Sequence, residues 1–316
     1  MNNLVNSSTL TSPLTLEGFI VPEESRAPLF IITFFIYIII FVENVTIMFV
    51  IISHRSLHAP MYLMLCNMTV CDLIGSTALM PRLMSDFLRD VRLISFEACI
   101  IQAFCIHMYS TAAQFILVVM AFDRYIAICR PLRYNAIMTT KTTAKLCSLA
   151  WGGAFVLIVI LLALTIRLPR CKSLVVHAYC FNGALFVLSC ADTTINNIYG
   201  LFVSYFITGL SLSVMAWTYA KILIACLFQS QHNCKTKAIH TCATHLVSYI
   251  VFEITILFAV MALRFPNITP NATKAMGTLT ITIPPCLNPV IYGINTKEIR
   301  NNVLKFFKRK IMSNNK

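Results

Sequence analysis

Asp123 and Arg124 stand side by side inside Met120-Ala-Phe-Asp-Arg-Tyr-Ile-Ala-Ile-Cys129, with Tyr125 next and apolar residues to either side. Opposite charges at the edge of an apolar run can pair in one arrangement of the chain and separate in another. A partly solvated pair is worth roughly a few kcal/mol at most. That suits two states close enough in energy for a small ligand to exchange them. The plainer alternative is an arginine snorkelling beside an unrelated aspartate. Three more acids, Glu43, Asp72 and Glu253, lie within apolar runs, where a carboxylate is costly unless polar partners face it. Arg264 follows Glu253 by about three helical turns, so both project from nearly one face, roughly 16 Å apart. A guanidinium there can clamp a carboxylate through two hydrogen bonds, and Glu253 can meet an ammonium or a hydroxyl. The competing reading for Arg264 is a helix-end arginine reaching for the membrane surface. Asn288-Pro289 interrupts a helix and frees backbone carbonyls. No nucleophile, base and orienting group stand together at a recognisable spacing, so no enzyme is expected. No cysteine spacing resembles a zinc site.

These residues need elements to position them, and composition says which. Hydrophobic residues make up 58% of the 316 and charged residues 12%, and the mean hydropathy is +0.77. A water-soluble domain could not hide that much apolar surface, so lipid is much of the solvent. Seven apolar stretches, 29–52, 60–83, 98–128, 145–168, 197–228, 238–263 and 272–292, are each long enough for a helix to cross hydrocarbon. In lipid every backbone group must be paired internally, and a barrel would show short alternating segments instead. The expected fold is therefore an all-α membrane protein, a seven-transmembrane helix bundle over 29–292. A polar tail, 1–28, precedes it. A cytoplasmic tail, 293–316, follows, with a short amphipathic helix over 296–310 carrying Ile299, Val303, Phe306 and Phe307.

Residues 1–27 lack a basic start followed by an apolar run, so the first span is expected to act as its own insertion signal. Its leading flank holds Glu17, Glu23, Glu24 and Arg26, its trailing flank His54, Arg55 and His58. The positive-inside rule then puts the N-terminus outside. With that orientation the inner segments gather most of the Lys and Arg against a single acid, Glu298. The net charge of +13 therefore reads as loops facing anionic lipid and protein, with no nucleic-acid partner. The outer loop 169–196 is the longest connection, and such loops often serve as lids. Asn6-Ser-Ser8 is a glycosylation acceptor on the outer tail; Asn267-Ile-Thr269 and Asn271-Ala-Thr273 also match, close to the membrane. Of thirteen cysteines, Cys99, Cys171, Cys180 and Cys190 fall on the outer, oxidising side. Four thiols allow three pairings.

Leu57-His-Ala-Pro-Met-Tyr62, the run from Met120 to Cys129, Lys237-Ala-Ile-His-Thr-Cys-Ala-Thr-His-Leu246 and Pro285-Cys-Leu-Asn-Pro-Val-Ile-Tyr292 together resemble the signature segments of odorant receptors, which are rhodopsin-like G-protein-coupled receptors. Thr-Cys-Ala-Thr-His and Ile195-Asn-Asn-Ile-Tyr199 look most like the fish-like branch, which tends to detect water-soluble odorants. The resemblance implies a small odorant as ligand, a heterotrimeric G protein of the cAMP-raising type as partner, and a plasma-membrane location in the cilia of olfactory sensory neurons. It places Arg124, Lys237 and His240 at the G-protein opening, and Asn288, Pro289 and Tyr292 in the switch of the seventh helix. It puts the ligand among the outer halves of the third, fifth, sixth and seventh helices, with His107, Ser110 and Thr111 on the third and Phe202, Tyr205 and Phe206 on the fifth. It pairs Cys99 with Cys180 and Cys171 with Cys190. It also suggests a sodium ion at Asp72. Here the chain departs from the family pattern: Ala113 stands where a glutamate is usual, and Glu43 where glycine is. Glu43 either supplies the second carboxylate or stays protonated against a neighbour. Two other classes compete. A transporter would show internal repeats and paired broken helices, which are not seen, and a non-olfactory receptor of the same fold would be told apart by its ligand.

Overall fold

The computed structural model describes residues 13–228, 232–265, 267–295 and 298–304, with backbone alone for 228, 232–241, 294 and 295. Among the described residues there are seven long helices: α1 (Glu23–Ser53), α2 (Pro60–Phe87), α3 (Phe96–Cys129), α4 (Thr140–Ile166), α5 (Thr194–Phe228), α6 (His232–Ala262) and α7 (Pro270–Asn295). Most begin several residues before the apolar stretch that marked them, because polar caps can start a helix outside hydrocarbon. Ser95 caps α3 by accepting from the Ala98 amide, and Thr139 caps α4 by accepting from that of Thr142. Pro60 opens α2, where its missing amide hydrogen costs nothing.

By length and apolarity α1 to α6 can each cross a membrane; α7 falls short of that apolarity. Its polar residues have work to do inside the bundle. Pro284 and Pro289 lack amide hydrogens, which leaves the carbonyls of Thr280 and Pro285 without their intrahelical donors. Donors from two neighbours take them: the Tyr109 hydroxyl of α3 donates to Thr280 O at 3.2 Å, and Asn44 Nδ2 of α1 donates to Pro285 O at 3.0 Å. The seventh helix is thus held by hydrogen bonds that lipid could not supply.

Large apolar side chains such as Phe34, Phe35 and Ile38 point outward from α1, the side that lipid covers. The core runs down the bundle axis around Tyr109, which is fully buried and meets Phe252 of α6 edge-on with 5.9 Å between ring centres. Gly75 allows the close contact of α2 with that ring, since a Cβ there would lie 2.5 Å from it.

The outer end carries strands that an all-helical expectation missed. β1 (Leu14–Leu16) pairs antiparallel with β2 (Leu93–Ile94) and parallel with β3 (Leu174–Val175), in the order β2-β1-β3. Leu14 and Leu16 alternate inward around Thr15 and are buried, the period-two pattern of a half-covered strand. Three residues are too few for that pattern to stand out in sequence. The segment placed in a polar tail is therefore built into the receptor domain. At the other end residues 298–304 are helical, with Ile299 buried and Val303 packed against the core. The remainder of the expected amphipathic helix, Asn6 and the start of the chain lie outside the described residues.

Candidate functional site

Under the outer end lies a cavity of about 810 Å³ walled by α3, α5, α6, α7 and the loop after α4, within the size range of small-molecule sites. Disulfide Cys99–Cys180 ties that loop to the top of α3, and Cys171–Cys190 closes a second ring within it. Gln102 adds a clamp, accepting from the Cys180 amide at 2.9 Å while donating to Ala78 O. The loop therefore lies across the cavity as a fixed wall and carries Val176, His177, Tyr179 and Phe181 into its lining. His177 is buried between the rings of Tyr179 and Phe181. Burial, with the Lys274 ammonium nearby, lowers its pKa to about 4, so it is neutral at physiological pH.

Of the expected ligand residues, the structure places His107, Ser110, Thr111, Tyr205, Glu253 and Arg264 in the cavity lining. Phe202 and Phe206 are a correction. They stack on each other, 5.6 Å between ring centres, and are 54% and 46% exposed on the lipid side of α5. Gly200, Val203, Ser204 and Thr208 of that helix face the cavity instead. The two aromatics lie one helical turn from each other, about 100° and 60° round from Val203 on the side away from Ser204 and Thr208, so a stripe chosen for its size fell on the wrong face.

His107 Nε2 accepts from the Asn182 amide at 3.1 Å, which binds loop to helix. Arg264 Nη2 donates to Asn197 Oδ1 at 3.2 Å and stays exposed at the rim. Deep in the cavity, Glu253 Oε1 accepts from Gln114 Nε2 at 2.6 Å and from Ser211 Oγ at 2.7 Å, and the Tyr249 hydroxyl lies 3.1 Å from that Ser211 oxygen. The buried carboxylate has neutral donors around it, as its position in hydrocarbon requires. Gln114, Ser211 and Tyr249 were not singled out from sequence, because a lone polar residue in an apolar run carries no spacing signal. Their only signal was Glu253 itself, an acid that had to have donors.

At the inner end Asp123 is wholly buried and Arg124 mostly so. Arg124 Nη2 comes to 3.2 Å from Asp123 Oδ2, yet that oxygen has no aligned hydrogen bond among the described residues. Adjacent residues on one helix point about 100° apart, so this pair by itself does not join one helix to another. The tie between elements comes from elsewhere. Tyr134, in a single helical turn at Tyr134–Ile137, donates its hydroxyl to Asp123 Oδ1 at 2.9 Å. Burial, with that carboxylate beside it, pushes the Tyr134 phenol above its ordinary range, so it stays a donor. Tyr125 packs on Trp217 of α5 with 5.0 Å between ring centres, and the Tyr219 hydroxyl lies 2.7 Å from His245 Nδ1 of α6. Lys237 and His240 sit in the first turns of α6, and their side chains lie outside the described residues.

Between the two ends Asp72 is fully buried and accepts from Asn288 Nδ2 at 3.0 Å. Tyr292 is buried nearby on α7. Among the described residues no group of three or more His, Cys, Asp or Glu surrounds a metal-sized gap, so a cation here would rest on Asp72 and neutral oxygens. Glu43 is turned about 100° from Asn44, which faces α7, and one of its oxygens is buried without a hydrogen-bond partner among the described residues. No hydrogen bond brings it to Asp72.

A helical membrane bundle with an outer cavity under a disulfide-pinned loop, and an acid–arginine–tyrosine edge at the far end, is the build of a G-protein-coupled receptor. Within that class a family model described as olfactory receptor matches residues 33–310. Olfactory receptor 51E2 of Homo sapiens is 37% identical over 274 residues, covering 86% of each chain. Olfactory receptor 52K1 of Homo sapiens is 35% identical over 88% of this chain and 89% of its own. For olfactory receptor 51G2 of Homo sapiens the figures are 33%, 96% and 97%. The chain belongs to the olfactory receptor family: a multi-pass membrane protein and a signalling receptor, not an enzyme.

Proposed function

We propose that this receptor takes a small, polar or zwitterionic, water-soluble odorant into the outer cavity and in response activates a heterotrimeric G protein that raises cAMP. What carries the reading is the presence of Arg264 and Glu253 in the lining of one cavity. The rim guanidinium suits a carboxylate. The deep carboxylate, with Gln114 and Ser211, offers both an acceptor and donors to an ammonium or hydroxyl. A water-soluble ligand fits the fish-like character of the sequence motifs. The charge distribution along the loops supports an N-terminus outside the plasma membrane, and olfactory cilia are the place where such a cavity would meet its ligand. Asp72 with Asn288 is where a sodium ion would sit in the resting state, and an Asp72→Asn receptor should then lose any dependence of basal signalling on sodium.

The test is a cAMP reporter assay against a panel of acids, amines and amino acids, with Arg124→Ala as the uncoupled control. Arg264→Ala should weaken responses to carboxylate-bearing ligands and Glu253→Gln those to amines. If both variants reach the surface and respond like the parent to every activating ligand, the reading is wrong.

A further inference from the structure

Residues 14–20 lie at the outer end and join the loop after α2, the loop after α4 and the start of α7. β1 is the central strand between β2 and β3, so both outer loops hydrogen-bond to it rather than to each other. Beyond the strand, the Glu17 amide donates to Val175 O at 3.0 Å and the Gly18 amide to His177 O at 3.1 Å. Arg92 holds the Glu17 carbonyl and also donates to Asp86 O. Gly18 has φ +66°, the left-handed region, and a Cβ there would meet the Arg92 side chain at 2.7 Å, so only glycine suits this turn. Phe19 then stacks on Phe87 at the end of α2.

Two side chains of α7 fasten the segment. Asn271 pairs with the backbone of Ile20 at both ends, donating to its carbonyl at 2.6 Å and accepting from its amide at 3.0 Å. Lys274 is 1% exposed, a burial that an ammonium tolerates only with partners. It donates to Glu17 Oε2 at 2.5 Å and to Gly18 O at 2.7 Å. One turn further along α7, a Cβ on Gly277 would collide with the Tyr179 hydroxyl. The loop wall therefore rests directly on the helix that the strap is fastened to.

We propose that this N-terminal strap is a working part of the ligand site, with Glu17 and Lys274 as positioning residues that hold the loop bearing His177, Tyr179 and Phe181 in its ligand-competent place. Neither residue lines the cavity; they act through the loop. The proposal rests on the outer cavity being where the odorant binds. It also assigns the sequon at Asn271 to the clamp. The side-chain nitrogen that a glycan would occupy is the one bonded to Ile20, and a sugar would replace one of its two hydrogens beside the strap, so glycan and clamp compete for the same atom.

The experiment uses the full-length receptor with surface level measured on the same cells. Glu17→Gln and Lys274→Met should each raise the agonist EC50 on the order of tenfold, as expected when the competent arrangement is populated about a tenth of the time, with the maximal response kept. Lys274→Arg should restore the parental EC50. Removing both charges together should cost no more than Lys274→Met alone, because Lys274 is the partner that the Glu17 carboxylate acts through. Hydrogen exchange of the purified receptor should show residues 174–182 opening in Glu17→Gln and staying closed in Lys274→Arg. EC50 values within twofold of the parent, or additive losses in the double variant, would overturn the proposal, as would unchanged exchange. Faster exchange with unchanged EC50 would overturn it too, and would show that the strap holds the loop but that ligand does not feel it. Failure of the cavity reading itself is separate, because it appears in Arg264→Ala and Glu253→Gln.

Discussion

At the outer end two disulfides, a three-stranded sheet, the Asn271–Ile20 pairing and the buried Lys274–Glu17 pair bind α3, α7, the long loop and the N-terminal segment to one another. At the inner end, among the described residues, one tyrosine hydroxyl reaches Asp123 from the loop, one reaches His245 from α5, and the acid–arginine pair lies within a single helix. Covalent and multiply hydrogen-bonded contacts hold one geometry; a few single bonds, each worth about 1 kcal/mol net, can be exchanged for others. The same helices thus carry a multiply tied end around the cavity proposed to take the ligand and, among the described residues, a more lightly tied end. A two-state receptor needs that division, since a ligand can shift states only when they differ by a few kcal/mol.

Breaking the fixed end should have the largest effect. Cys99→Ser removes a cross-link of the kind worth about 2–5 kcal/mol and should abolish the agonist response and most surface display. A receptor that still reached the surface with parental EC50 would mean the loop is held without it. Acid should loosen the same end next. His177 titrates at about 4 in the folded receptor against an ordinary 6.5, so between those values the unfolded chain binds more protons. Its contribution to stability is therefore present above pH 6.5 and is lost as pH falls towards 4, by about 2 kcal/mol at pH 5. The melting temperature of purified receptor should drop between pH 7.4 and 5, and His177→Gln should blunt the drop.

The loose end should respond in the opposite sense, with more signalling rather than less. Tyr134→Phe removes the hydroxyl that holds Asp123 to the inner loop. Losing about 1 kcal/mol from the resting state should raise basal cAMP about fivefold with no change in surface level. A lowered basal signal would assign that bond to the active state. Smallest is Thr139→Ala at the cap of α4, which should cost about 0.5 kcal/mol and shift melting slightly without moving either basal or evoked cAMP.

The spans were legible in sequence because lipid imposes a long apolar signal on six of the seven helices. The seventh was legible as a span with the rest, although it is less apolar, since Thr280, Asn288 and three prolines are buried in protein rather than facing lipid. Asp72, Asp123 and Glu253 stood out because an acid in hydrocarbon must have partners, and each has them. The partners themselves, Tyr134, Gln114 and Ser211, did not, since a hydroxyl or amide in an apolar run is common. Phe202 and Phe206 were chosen for their size rather than for the face they occupy. The strap at 14–20 was invisible for a different reason: its hydrogen bonds are to residues 75 or more positions away, and no local period encodes them.

Distance measurements by spin labelling can set the two ends against each other in one receptor. Labels at Lys145 and Ala243 report the inner ends of α4 and α6, and labels at Ile166 and Leu263 report the outer ends. On adding agonist the inner pair should separate by several ångströms, on the scale of known helix shifts, while the outer pair stays within about 1 Å. Movement of the outer pair with the inner pair unchanged would contradict the division between a fixed ligand end and a yielding inner one.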